Sequence, residues 1–252
     1  MIKRIANEDK GDSNNLTLVG HLTELRRRII QSGIFFIIAT LVCYYYSEYI
    51  VRDILKRAPN INFVFIAPAE LLLSYIKLAV VGGLALSLPL IIFQIWSFIS
   101  PGFKPNERKS IIISLIIGGI FFFLGVIFAY IIVMPSMIQF FIGFQIDEIS
   151  PMISFSSYLG FFLDTLIAFG LIFELPVIMI ILTSFNIVTV KFLKKNRKYI
   201  ILIIFVVAAI ITPPDVISQI LLALPMLILF EIGILFSKIV EKKKAANKRL
   251  TH

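Results

Sequence analysis

A lone carboxylate among arginines is the first feature of this chain with chemical potential. In His21-Leu-Thr-Glu-Leu-Arg-Arg-Arg28 the acid Glu24 stands beside Arg26, Arg27 and Arg28, just before the first long apolar run. A helix through this stretch puts Leu18, Leu22, Leu25 and Ile29 on one face and His21, Glu24 and Arg28 on another, the pattern of an interfacial segment that feeds a spanning one. The arginines fit the basic flank that orients a first span. Glu24 does not follow from that rule, because an acid is mildly unfavourable beside anionic lipid. It is expected to serve Arg28, its neighbour at i+4, or a cation from outside.

Other polar side chains fall where hydrocarbon is expected. Glu174, in Phe169-Gly-Leu-Ile-Phe-Glu-Leu-Pro176, lies 16 residues beyond Tyr158, where its apolar run begins, and is too deep to snorkel. An ionised carboxylate there costs several kcal/mol, so Glu174 is either protonated or turned to a polar concavity or a partner, with a helix-packing hydrogen bond as the plainer reading. Asp164 and Glu231 lie nearer span ends, where ordinary packing accounts for them, and Lys77 is close enough to an end to snorkel. Thr212 and Gln219 flank Pro213 and Pro214. A hydroxyl and an amide there either bond a helix of another chain or satisfy backbone freed by the prolines. An enzyme is not expected: His21 and His252 lie outside the apolar runs, Cys43 stands alone, and no metal-ligand or nucleophile and base set can be assembled. No cofactor or metal is expected either.

Six apolar runs must position these residues. Hydrophobic residues make up 59% of the chain, charged ones 15%, and mean hydropathy is +0.96. Soluble domains carry about a quarter charged residues, so the chain reads as an all-α integral membrane protein. The net charge of +9 sits in short loops beside apolar runs, an orientation signal, with no aromatic-interleaved patch for nucleic acid. Residues 1–16 are polar and expected to be a disordered tail; they lack the apolar centre of a signal peptide, so insertion is expected to rest on the spans. Residues 17–237 form the membrane domain, with spans over about 29–46, 71–99, 110–134, 158–185, 199–212 and 216–236, and residues 238–252 form a basic tail.

Within these runs, Tyr44, Tyr45, Tyr46 and Tyr49 form an aromatic belt, and the amphipathic piece Tyr49 to Leu55 is expected to lie flat as a cap. The second span, holding Pro89, is expected to be tilted or bent, and the third to stop at Pro135. The fifth covers about 21 Å of a hydrocarbon core about 30 Å thick, unless Lys194 to Lys198 snorkel as its first turn. The last hairpin is therefore expected to thin the bilayer or sit low against longer neighbours. With the N-terminus inside, 20 of the 24 Lys and Arg are cytoplasmic and three, in the first outer loop, are outside. Both termini are expected in the cytoplasm. Glu24 and Glu107 are then the cytoplasmic acids beside span ends.

Four ordered motifs carry a resemblance: His21-Leu-Thr-Glu-Leu-Arg26; Gln94-Ile-Trp-Ser-Phe-Ile-Ser-Pro101 with Glu107-Arg108; Phe169-Gly-Leu-Ile-Phe-Glu-Leu-Pro176; and Thr212-Pro-Pro-Asp-Val-Ile-Ser-Gln219 with Phe230-Glu-Ile-Gly233. From about Leu18 to Ser237 the chain resembles TatC, the multispanning core subunit of the twin-arginine protein translocase. The resemblance implies a concave, glove-like helical fold in the inner membrane. It implies a receptor for signal peptides with two adjacent arginines, which exports folded proteins with small single-span subunits, using the proton gradient. It implies contacts with copies of itself and with lipid, and none with nucleic acid. The signal-peptide residues would be Glu24, Leu25, Arg26, Phe98, Glu107 and Arg108; Glu174, Thr212 and Gln219 would face partner helices. Asp164 lies outside the pattern. Chemistry supplies a reason for the two acids, since a carboxylate accepts two parallel bonds from the fork of a guanidinium.

A proton-coupled small-solute transporter is the alternative. It would use Glu174 and Asp164, but it predicts broken helices in two matching halves, and the chain has no internal repeat. The orientation can be tested directly. In a variant lacking Cys43, a cysteine at Ser150 should label with a membrane-impermeant reagent from outside, and one at Asn106 should not; the reverse pattern would sink the topology.

Overall fold

The computed structural model describes residues 2–58, 63–65, 67–99, 105–143, 152–211 and 216–250, with side chains left undescribed at 2–19, 99, 105–111, 141, 218 and 245–250. Helices dominate: α1 (Ile2–Tyr45), α2 (Ser47–Lys56), α3 (Glu70–Ile99), α4 (Pro105–Phe128), α5 (Met134–Ile142), α6 (Phe155–Phe173), α7 (Leu175–Ser184), α8 (Val190–Lys195), α9 (Arg197–Ile211) and α10 (Val216–Leu250). Helix α1 reaches back to Ile2, through the segment expected to be disordered, because a helix started at the interface propagates at little cost per residue. Among the described residues, five stretches are long and apolar enough to cross a membrane: Gly20–Tyr45, Glu70–Phe98, Ile112–Phe140, Phe155–Ser184 and Gln219–Lys244. The fifth expected span corresponds to α9, whose 15 residues begin at Arg197. The lysines before it belong to the separate helix α8.

Prolines shape these helices without always ending them. The expected stop at Pro135 does not occur, since helix continues to Ile142. Pro135 lacks an N–H for the carbonyl one turn back and crowds it; widening the preceding turn into a π-helical one, Ala129–Val133, absorbs the mismatch. At Pro176 the outcome differs. The fourth span is split into α6 and α7 at Glu174, whose N–H bonds the Leu171 carbonyl at 3.1 Å in a tightened turn. Proline near the start of α7 suits a helix beginning afresh.

Two apolar cores hold the bundle. One joins the π-helical turn and α6 to α10, around Phe169, Leu222, Met226 and Phe230. The other lies at the Tyr46 end, where α2 seats Val51 and Ile54 against Leu78, Met134 and Phe162. Here α2 caps the helix ends, as its amphipathic sequence predicts. Two strands of two residues, β1 (Phe63–Val64) and β2 (Ile153–Ser154), pair in parallel and tie together two loops that the sequence left unconnected. Ser154 caps α6 by accepting from the Ser157 N–H, and its hydroxyl donates to Glu70.

Helix α1 is peripheral, with Ile37, Leu41 and Tyr45 exposed as lipid-facing side chains would be. Its seam with α3 rests on small residues. A Cβ added to Gly83 would stand 2.6 Å from Thr40 Cα and 2.7 Å from Thr40 N, so the two backbones touch; one at Gly82 would meet Cys43 Sγ at 3.1 Å. Gly83→Ala should therefore destabilise the protein by about 1–3 kcal/mol, because backbone cannot step aside as a side chain could. Gly33, with nothing within 4 Å of its added Cβ, supplies the contrast. Thermal unfolding in detergent should show a loss for Gly83→Ala and none for Gly33→Ala; equal behaviour would refute the close seam.

Candidate functional site: a clasped acid and a buried-span carboxylate

The seam of α1 and α3 brings the first group of residues together at its Glu24 end. The helices run antiparallel, so residues before the first span meet those closing the second. Arg28 donates from Nε at 3.0 Å and Nη2 at 2.6 Å to Glu24, one turn back on the same helix. Its Nη1 donates to Gln94 Oε1 of α3 at 3.0 Å, and Gln94 Nε2 donates to Gln31 Oε1 at 3.3 Å. His21 stacks on Phe98 with ring centroids 4.6 Å apart. The result is a polar clasp across two spans with an aromatic lid.

Both Arg28 bonds to Glu24 fall on the same oxygen, Oε1. Glu24 is 36% exposed and Arg28 22%, so the pair is only half sheltered. The expectation that Glu24 serves Arg28 or an outside cation thus resolves in favour of Arg28 for one oxygen. Leu25 is half-buried and Arg26 exposed. Glu107 and Arg108 lie in the first turn of α4, and their side chains fall outside the described residues. Sequence reasoning missed Gln94 and Gln31 as members of this network. An amide within an otherwise apolar run was the available signal.

The second group surrounds Glu174. The helix break at Pro176 places its carboxylate against α4, where a Cβ on Gly118 would meet Oε2 at 2.7 Å. Glu174 lines a cavity of ≈390 Å³ with Pro89, Ser114, Gly118, Phe122 and Val177, walled by α3, α4 and α7. Only a residue without a side chain leaves room there for an acid. A concavity does lie beside Glu174, but its lining is apolar apart from Ser114 and Glu174 itself, not the polar one expected, and Gly118 is the residue that sequence reasoning did not single out.

The third group is split. Thr212 lies outside the described residues. Gln219 donates from Nε2 to the Phe205 carbonyl at 2.9 Å, pinning α10 to α9 across the hairpin. The remaining charges are paired: Glu231 with Arg197, and Asp164 with Lys77 at 3.9 Å. Lys77, expected to snorkel, lies over Gly160 with its ammonium towards Asp164, and both side chains remain substantially exposed. At the Tyr46 end, the Tyr130 hydroxyl donates to Asp53, and Arg57 stacks 3.8 Å over the Tyr130 ring. No three His, Cys, Asp or Glu gather as metal ligands among the described residues.

Comparison with known proteins bears on what these groups do. The family model described as Sec-independent protein translocase protein (TatC) matches residues 20–225. A relative of that description in Carboxydothermus hydrogenoformans is 42% identical over 237 residues, covering 93% of this chain and 98% of its own length. Another in Aquifex aeolicus is 36% identical, covering 91% and 98%. A solved structure described as the twin arginine translocase receptor TatC superposes with a TM-score of 0.75 at 36% identity, covering 87% of this chain and 99% of that one. These likenesses do not favour the small-solute transporter. With the motifs around Glu24, Glu174 and Gln219 all falling inside the matched segment, the chain belongs to the TatC family of Sec-independent protein translocase proteins.

Proposed function

We propose that this chain is the receptor subunit that binds twin-arginine signal peptides at the cytoplasmic face of the inner membrane. It would assemble with small single-span subunits and copies of itself to export folded proteins, driven by the proton gradient. The proposed topology has six spans, α9 being the short fifth, with both termini inside, a membrane domain over 17–237 between two tails, and a concave, glove-like arrangement. The observation that carries the reading is the half-exposed carboxylate of Glu24, whose Oε1 takes both Arg28 bonds while Oε2 takes neither.

An incoming guanidinium would use that second oxygen. Arg28, tethered to Gln94, fixes the rotamer of Glu24 and leaves its far side facing the peptide. Leu25, Phe98 and the stacked His21 supply the apolar rim, and Arg26 borders it with positive charge, with Arg108 proposed from the sequence motif alone. Glu107, in the first turn of α4, is proposed as the second carboxylate for the second arginine. Each charge-assisted bond contributes about 1.5–3 kcal/mol where water is excluded and under about 1 kcal/mol where it is not. At the exposure of Glu24, Glu24→Ala should weaken binding of a labelled twin-arginine peptide about three- to tenfold, and Glu107→Lys should nearly abolish it. Unchanged affinity in Glu24→Ala/Glu107→Ala would remove the assignment.

Partner helices are proposed to meet the chain at Glu174 and at the hairpin of α9 and α10. A polar group entering the Glu174 cavity would relieve a carboxylate facing an apolar lining. At the hairpin, Thr212 and Gln219 would hold a partner at one depth, each bond contributing about 0.6–2 kcal/mol. Because Gln219 also fastens α9, its replacement must be judged on folded protein. Thr212→Val/Gln219→Leu should lower copurification of the single-span subunits without abolishing it. Full partner recovery and export in a correctly folded double variant would reduce both residues to local turn chemistry.

A further inference from the structure

The basic residues after the fourth span are not equivalent. Lys244 is committed to the fold: its ammonium donates to the Ser184 carbonyl, to Thr183 O at 3.5 Å and to Asn186 Oδ1 at 3.2 Å, closing the end of α7. Four other lysines make no ion pair with a described carboxylate. Lys191 and Lys194 share one face of α8 at i, i+3, and Lys238 and Lys242 share one face of α10 at i, i+4. The two faces confront each other across an open groove of ≈620 Å³, lined by Val190, these lysines and Glu241.

Glu241 is the single acid in that lining, and its Oε1 accepts the Val190 N–H at 3.3 Å, which spends part of its charge on the backbone. Four cations against one engaged carboxylate leave a strong positive excess in a concave site. Electrostatics alone would place any anion there. Neighbouring surface narrows the choice. Phe192 of α8 and Ile239 of α10, each between the two groove lysines of its helix, are exposed apolar side chains at 55% and 61%, and Leu235, about one turn before Lys238, is exposed at 60%. Positive charge and exposed apolar surface thus meet at the groove, a pairing that suits an anionic headgroup with its acyl chains and not a free anion.

We infer that this groove binds the headgroup of an anionic phospholipid, its phosphate held between α8 and α10 and its acyl chains running down past Phe192 and Ile239. A bound lipid would bridge the short helix α8 to the last span, and so brace the hairpin from the side opposite its turn. The site lies apart from the clasp at Glu24 and the cavity at Glu174, so it goes beyond the receptor role proposed above.

The test uses full-length protein in detergent, where binding does not depend on orientation in a bilayer, so a wrong topology would not imitate a missing site. Native mass spectrometry after titration with diphosphatidylglycerol, and separately with phosphatidylcholine, reads bound lipid. Lys191→Gln/Lys238→Gln removes one ammonium from each wall, and Lys195→Gln/Lys243→Gln removes two exposed lysines of the same helices outside the groove. With two of its four ammoniums removed, the groove variant should lose anionic-lipid affinity about thirtyfold, with the control close to unchanged and phosphatidylcholine weak throughout. Equal losses in the two variants would overturn the site in favour of diffuse surface charge. Displacement of the lipid by millimolar inorganic phosphate would overturn the lipid assignment in favour of a free-anion site.

Discussion

Hydrocarbon offers no hydrogen-bond partner, and most of this structure can be read as the consequence. Each polar side chain within an apolar stretch must be matched by another part of the chain or turned towards a cavity. Arg28 reaches Glu24 and Gln94, Lys77 approaches Asp164, and Gln219 finds a carbonyl of α9. Apart from the Arg28 to Glu24 pair, which lies within α1, each of these contacts joins helices that lipid alone would leave free to slide, since apolar helices gain little by exchanging lipid for one another. Register between spans is thus set by a few polar contacts, and close approach by glycines such as Gly83 and Gly118.

The same constraint accounts for where the helices are irregular. A proline in a span frees a carbonyl that water cannot satisfy. At Pro135 the chain absorbs this within a π-helical turn and keeps a continuous span. At Pro176 it breaks the helix, and the break falls on the acid Glu174. The irregularity and the acid belong together, because the tightened turn swings the carboxylate over Gly118 and into a cavity rather than into packed side chains.

Much of this was legible in advance. The apolar runs, the amphipathic α2 and the oddity of Glu24 and Glu174 follow from periodicity, composition and charge, which act locally. What stayed hidden depends on pairs distant in sequence. Gln94 meeting Arg28, His21 stacking on Phe98 and the pairing of β1 with β2 link segments more than 60 residues apart, and no local pattern encodes which polar group answers which. Proline misled for a related reason: the sequence marks the lost N–H, while the remedy depends on whether neighbouring helices tolerate a widened turn, as at Pro135, or an open corner, as at Pro176.

The internal arginine of the clasp also limits how the receptor reading can work. A guanidinium already bound to Glu24 is a competitor for any arginine arriving from outside, and full displacement would cost the tie to Gln94 as well. Placement of both Arg28 bonds on Oε1 would avoid that competition: an added guanidinium would meet the other oxygen of a carboxylate whose rotamer is already fixed, so less side-chain entropy would be lost on binding. The cost is strength, since sharing one negative charge between two cations weakens each contact, and at this exposure salt screens both. A single acid of this kind gives recognition that is selective in geometry but modest in affinity. High discrimination for paired arginines then requires a second carboxylate at a fixed spacing, which is the role the Glu107 turn would fill.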